Sequence, residues 1–223
     1  MTSTTTERRR RSDGEQSRNA ILREAAQLAT VEGLAGLSIS RLAQAVGMSK
    51  SGLFAHFGSK QELQLATIET ATEVFDELVV APALAAPTGL ERVRALAELF
   101  LKHVEENVYP GGCFFASVAA EMDTHPGPVR DRAMQFVEEW SVSLVRAVQD
   151  AQTEGSIATT EDPEQLAFEL DSYLLLGNLQ YVASQTPRPI ERAREAVERR
   201  LAEASATEGD PAARPDAADD GLY

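Results

Sequence analysis

Apolar and polar residues recur along most of this chain with the period of an α-helix, and glycine and proline cut the pattern into short rods. Residues 38–62, SISRLAQAVGMSKSGLFAHFGSKQE, are the most informative stretch. Ile39, Leu42, Ala43 and Val46 fall at i, i+3, i+4 and i+7, which makes one helical face apolar while Ser40, Arg41 and Gln44 point outward. Ser38 is placed to cap this helix, and Gly47 stops it where a left-handed backbone suits only glycine. Met48 fills the corner, and Ser49 caps a second helix from about Lys50 to Phe57. Leu53 and Phe57 take its buried side, while Ser51, Gly52 and Ala55 form its outer face with Lys50 and His56 at the edges. Ser59 with Glu62 is a capping box, so Lys60 sits in the first turn of a longer helix. Upstream, Ile21, Leu22, Ala25, Leu28 and Ala29 form a helical stripe that ends near Gly33. Two helices joined by a short glycine turn and flanked by a third are the pattern of a helix-turn-helix, which places its second helix in a DNA groove.

The remainder reads as helix after helix. One is expected from about Lys60 to Val80, ending before Pro82, and Thr88 with Glu91 opens another that carries Val93, Leu96, Leu99 and Phe100 to about Val108. Pro110-Gly111-Gly112 breaks the chain, a short apolar helix spans about Cys113 to Met122, and a long one follows His125-Pro126-Gly127-Pro128 to about Thr153. Asp162-Pro163 opens a strongly apolar helix through Phe168, Leu170, Tyr173 and Leu174 to Val182, and prolines 187 and 189 precede a last helix to about Ala204. No stretch sustains β alternation, so the fold class is all-α with about nine helices.

Charge changes this picture once it is divided. The chain is acidic overall, at −14, yet residues 1–60 hold nine Lys/Arg against five Asp/Glu, net +4, leaving 12 against 30, net −18, for the rest. A basic end on an acidic body turns one face toward DNA and the other away. Arg8, Arg9, Arg10 and Arg11 form a basic arm, readable either as a disordered leader or as a source of phosphate and minor-groove contacts. The polar, arginine-rich start, the lack of an apolar run of about 20 residues, and a single cysteine point to a cytoplasmic protein without a membrane partner.

The run A-x-x-L-A…G-L…S-x-S-R-L-A-Q-A-V-G-M-S-K-S-G-L-F-A-H-F-G-S-K-Q-E-L closely resembles the TetR family of transcriptional regulators over roughly residues 17–65. The resemblance implies an N-terminal three-helix DNA-binding domain with the helix-turn-helix, followed by a C-terminal helical regulatory and dimerisation domain. The expected division is a disordered basic arm over 1–16, the DNA-binding domain over 17–62, the ligand-binding and dimerisation domain over 63–204, and a disordered acidic tail over 205–223. At the groove, Lys50 is the long donor able to reach guanine O6 or N7, Ala55 offers a methyl to thymine, and Ser49, Ser51 and Gly52 allow close approach. Ser38, Ser40, Arg41, His56 and Lys60 are candidates for phosphate, with a surface role as the alternative for His56. Phe54 stands where the family more often has a tyrosine whose hydroxyl meets the DNA backbone.

The resemblance also implies a homodimer built from the last two helices of each subunit, which would set two recognition helices on a pseudo-palindromic, double-stranded operator. Residues 173–182, YLLLGNLQYV, are apolar nearly all round, so this helix needs partners on more than one side, and Gly177 permits a close crossing; on the two helices the candidate dimer residues are Phe168, Leu174, Gly177, Asn178, Tyr181, Val197 and Leu201, the alternative being that this helix is the subunit's own core. The resemblance further implies an unidentified small-molecule effector held inside the C-terminal helices, in a pocket that Phe100, His103, Phe114, Phe115, Met122, Phe136, Trp140 and Tyr173 would line; these bulky groups are otherwise plain core. Cys113 reads as core, with oxidant sensing as its alternative.

Enzyme readings find no footing. The three histidines lie in different segments, and the chain has no metal-ligand spacing, nucleophile elbow, P-loop or dinucleotide fingerprint, so no cofactor is expected. The leading expectation is a homodimeric repressor released by a ligand. The alternatives are a helical protein-interaction module without DNA binding and an all-helical enzyme.

Overall fold

A computed structural model describes residues 3–205, with side chains from Gly14 onward. The N-terminal bundle holds α1 (Ser3–Glu32), α2 (Ile39–Ala45) and α3 (Lys50–Phe57). Helix α4 (Lys60–Phe75) runs on without a break through a π turn (Asp76–Val80) and a last turn (Ala81–Leu84). The body adds α5 (Gly89–Glu105), α6 (Phe114–Met122), α7 (Pro128–Thr153), α8 (Pro163–Ser184) and α9 (Arg188–Ala204), which makes nine helices among the described residues.

Local chemistry starts these helices where the sequence places them. The hydroxyls of Ser38, Ser49 and Ser59 each accept the amide three residues on, from Arg41, Gly52 and Glu62, at 3.1 Å. Thr88 accepts the Glu91 amide, and the Asp162 carboxylate accepts those of Glu164 and Gln165. Gly47 takes φ +66 at the turn between α2 and α3, so a side chain there would be strained.

Two boundaries move. The rod beginning at Lys60 passes Pro82 instead of stopping at Val80: the ring sits near the start of the last turn, and the backbone widens just before it into the π register, where the amide of Ala81 bonds to Asp76. Helix α1 begins at Ser3, well ahead of residue 17, so the backbone of most of the expected 1–16 arm is helical. The side chains of Arg8–Arg11 and residues 206–223 of the acidic tail lie outside what is described.

Helix α4 joins the two halves of the molecule. Its buried stripe, Leu63, Thr67, Ala71 and Phe75, packs on α1 at one end and on the body at the other. At about 1.5 Å per residue, Lys60 and Phe75 stand roughly 22 Å apart. Arg132 of α7 fixes its middle with paired bonds to the Glu69 carboxylate at 2.7 and 2.9 Å. Phe75 ends at the centre of the body, edge-on to Phe136 at 5.2 Å, Trp140 at 5.3 Å and His103 at 5.6 Å.

Candidate DNA interface and interior cavity

On α3, Leu53 and Phe57 are buried while Lys50, Ser51, Phe54 and Ala55 face solvent, with Gly52 and His56 half-buried. Phe54, at 51% exposed, is an apolar ring on that outer face. The Ser49 and Ser51 hydroxyls bond to each other at 3.3 Å, and a Cβ at Gly52 would meet Ser49 Oγ at 3.1 Å, so glycine keeps this cap close. Ser38, Ser40 and Arg41 are exposed at the start of α2, and Lys60 is exposed at the start of α4.

Two of the expected phosphate donors already hold partners. Arg41 pairs with Glu32 at 2.9 Å, and Lys60 Nζ donates to the Ala35 carbonyl at 2.6 Å while keeping two further N–H donors. The first bond reaches the end of α1 and the second the turn that follows it, residues 33–38. Gln64 donates to the Leu34 carbonyl at 2.8 Å, and Glu121 of α6 accepts the amides of Leu34 at 2.7 Å and Ala35 at 2.9 Å. Gly33, at φ +83, leaves room for that carboxylate, since a Cβ would come within 2.7 Å of it. Two further bonds close the seam: Gln27 donates to the Val108 carbonyl, and the Gly111 amide donates to Thr30 Oγ1. Sequence patterns do not reveal Glu121, because its partners lie 86 and 87 residues away.

The body holds a partly open cavity of about 220 Å³, with the exposed Val137 and Leu175 in its wall. Of the eight aromatic and other bulky groups expected to line it, Phe100, Phe115, Phe136 and Trp140 do. The other four sit elsewhere. His103 is buried against Phe75 and Tyr109, Phe114 packs on Tyr109 and Phe115, Met122 is buried at the end of α6, and Tyr173 borders a separate hollow between α8 and α9. Phe75, Cys113, Ala116, Ala119, Ala120, Val137, Asp171 and Leu175 complete the wall. Asp171 had a legible signal: one residue past Leu170 and four past Ala167, it stands at the half-buried edge of the inward stripe of α8, where an unpaired carboxylate is uncommon.

Asp171 Oδ1 accepts the Trp140 indole N–H at 2.8 Å, and burial raises its pKa against that bond. Burial pushes the Cys113 thiol up to about 11, which leaves it protonated and fits core packing rather than a reactive thiolate. His103 is lowered to about 4 by burial, and neither ring nitrogen finds a hydrogen-bond partner.

The candidate dimer residues divide in the same way. Leu174, Gly177, Asn178, Val197 and Leu201 are buried within the subunit. A Cβ at Gly177 would stand 2.8 Å from that of Ala193, so its smallness serves the crossing of α8 on α9 in one chain. Asn178 Oδ1 accepts the Cys113 amide at 2.8 Å, and the half-buried Tyr181 donates its hydroxyl to the Glu105 carbonyl. Phe168 is exposed, and the rest of the open apolar row on α8 is Leu175, Leu176 and Leu179. Among the described residues, no helix is long and apolar enough to cross a membrane.

Comparison with known proteins agrees with this arrangement. The family described as bacterial regulatory proteins, tetR family, matches residues 21–67, and the tetracyclin repressor-like C-terminal domain matches residues 89–197. The transcriptional regulator AcuR of Cereibacter sphaeroides is 21% identical over 156 residues, covering 70% of this chain and 71% of that one. A TetR transcriptional regulator from Chloroflexus aurantiacus superimposes with a TM-score of 0.80 at 25% identity, covering 87% of this chain and 98% of the other. AibR, solved with isovaleryl coenzyme A and operator DNA, shares the fold with a TM-score of 0.65 at 23% identity over 80% of this chain and 94% of its own. With an exposed, serine-capped recognition helix at one end, an all-helical body at the other, and both domains matched in order, the chain belongs to the TetR family of DNA-binding transcriptional regulators, which are not enzymes.

Proposed function

We propose that this regulator is a homodimeric, cytoplasmic repressor that binds a pseudo-palindromic operator and is released by a small-molecule effector. The observation that carries the reading is that α6 serves two sites at once. Phe115, Ala116, Ala119 and Ala120 form part of the cavity wall, and Glu121, the next residue, holds the turn leading into the helix-turn-helix. A ligand that repositions α6 therefore changes where α3 stands, and it shifts the equilibrium only by as much as it prefers one placement to the other. AibR, solved with isovaleryl coenzyme A and operator DNA, supports a small-molecule ligand and an operator as partners of this fold. The apolar row on α8, from Phe168 at 68% exposed to Leu179 at 64%, supports a second copy as its cover.

In this reading Lys50 reads a base edge and Ala55 touches a thymine methyl, while Ser49, Ser51, Gly52 and Phe54 shape the close approach. Ser38, Ser40, Arg41, His56 and Lys60 hold phosphates, and DNA shape supplies much of the preference. A gel-shift titration with DNA from upstream of the chain's own gene tests it. Lys60→Ala is expected to weaken binding to every sequence and to lower the salt slope by about one, whereas Lys50→Ala also changes the preferred sequence. Binding that ignores sequence, or that both variants leave unchanged, points instead to an interaction module that has lost DNA binding.

A further inference from the structure

We propose that the cavity is built for a small organic ammonium, with its cationic head beside Asp171 and its hydrocarbon body against the rings of Phe75, Phe100 and Trp140. The proposal rests on reading the cavity as the effector site and names the chemistry of what enters it. The wall is carbon almost throughout, and Asp171 is its one ionisable carboxylate. Trp140 Nε1 anchors Oδ1, while Oδ2 has no hydrogen bond to the protein. No Lys, Arg or His forms an ion pair with this carboxylate among the described residues. A half-buried carboxylate walled by carbon and without a counter-ion is costly as an anion, and a cation supplied by a ligand lowers that cost.

The surroundings favour the same class of molecule. Aromatic rings attract ammonium groups through their negative faces, and aromatic cages are how proteins commonly recognise quaternary ammonium. Residues 61–223 carry 12 basic and 30 acidic side chains, net −18, which concentrates cations near the body and repels anions. Size narrows the choice further. An apolar cavity of about 150 Å³ holds benzene in another protein. At about 220 Å³, this one has room for a phenyl ring and a short amine arm. If Asp171 served only to hold the Trp140 indole, asparagine would do as well, because its carbonyl oxygen accepts the same bond.

Calorimetric titration of the full-length protein with three probes of one shape tests the proposal: benzylammonium, neutral ethylbenzene and anionic benzoate. Benzylammonium is expected to bind at least tenfold more tightly than either of the others. Asp171→Asn is expected to abolish that preference while leaving ethylbenzene binding within twofold. Equal binding of the three probes by the wild type, or tighter binding of benzoate, overturns the proposal without recourse to the variant. A preference that survives in Asp171→Asn overturns it as well. If ethylbenzene binds and the charge adds nothing, the ammonium chemistry fails while an effector cavity stands. If benzylammonium binds as expected but leaves operator affinity unchanged, the ammonium site stands and the effector reading fails. Binding of none of the probes removes both.

Discussion

His103 lies buried with neither ring nitrogen hydrogen bonded, so the fold holds it neutral, with a pKa of about 4 against an ordinary 6.5. The unfolded chain takes up the proton more readily. Stability associated with this residue is therefore intact above pH 6.5 and is lost as the pH falls toward 4. Between pH 7 and pH 5 the loss amounts to about 2 kcal/mol. Urea unfolding at both pH values should show this drop in the wild type and a smaller one in His103→Leu, which also removes two unsatisfied polar atoms. Equal drops in the two proteins would mean that the ring gains a partner in solution. Single residues also show how far sequence carries the site. Gly177 reads as a close-crossing residue and is one, but the partner is Ala193 of the same subunit. Helical spacing says that a residue must be small and says nothing of whose helix it meets.

At the scale of elements, helix starts were legible because a cap is a contact between residues three apart, as at Ser38, Ser49, Ser59 and Thr88. The passage of α4 through Pro82 was not, because the π turn that accommodates the ring depends on a packed rod on either side of it. Helix α6 shows the same division. Its length follows from the glycine and proline breaks around it, whereas its coupling role depends on Glu121 meeting Leu34 and Ala35. Truncating Glu121 leaves two backbone amides uncapped, at a cost of about 1–3 kcal/mol where they are shielded from water. Glu121→Ala should lower the melting temperature, weaken operator binding and blunt its response to any ligand that binds the cavity. Operator titrations with and without that ligand read all but the first of these effects. A variant with unchanged DNA affinity and an intact response would break the link between cavity and groove.

At the scale of the whole molecule, Phe168, Leu175, Leu176 and Leu179 leave an apolar row that a lone subunit does not cover. Leu175 also borders the cavity, so the face of α8 assigned to the partner and the effector site share a residue. Placing charge in this row should separate the subunits. Leu176→Arg together with Leu179→Glu is expected to give a folded monomer in sedimentation experiments. Operator affinity should fall at least a hundredfold, because the second half-site no longer arrives on the same molecule. A double variant that still sediments as a dimer would move the interface off α8.

The order of the helices, the position of the recognition helix and its outward residues were determined by sequence alone, because each rests on contacts within a turn or two and on the period of a single rod. Tertiary structure decided which face of each rod is covered, and by what. It enclosed Leu174, Val197 and Leu201 within one chain, left Leu176 and Leu179 open, placed Asp171 in a cavity wall, and joined Glu121 to Leu34 and Ala35. These pairings span tens of residues, and their energies depend on how close packing divides space among all the helices at once, which no local pattern encodes.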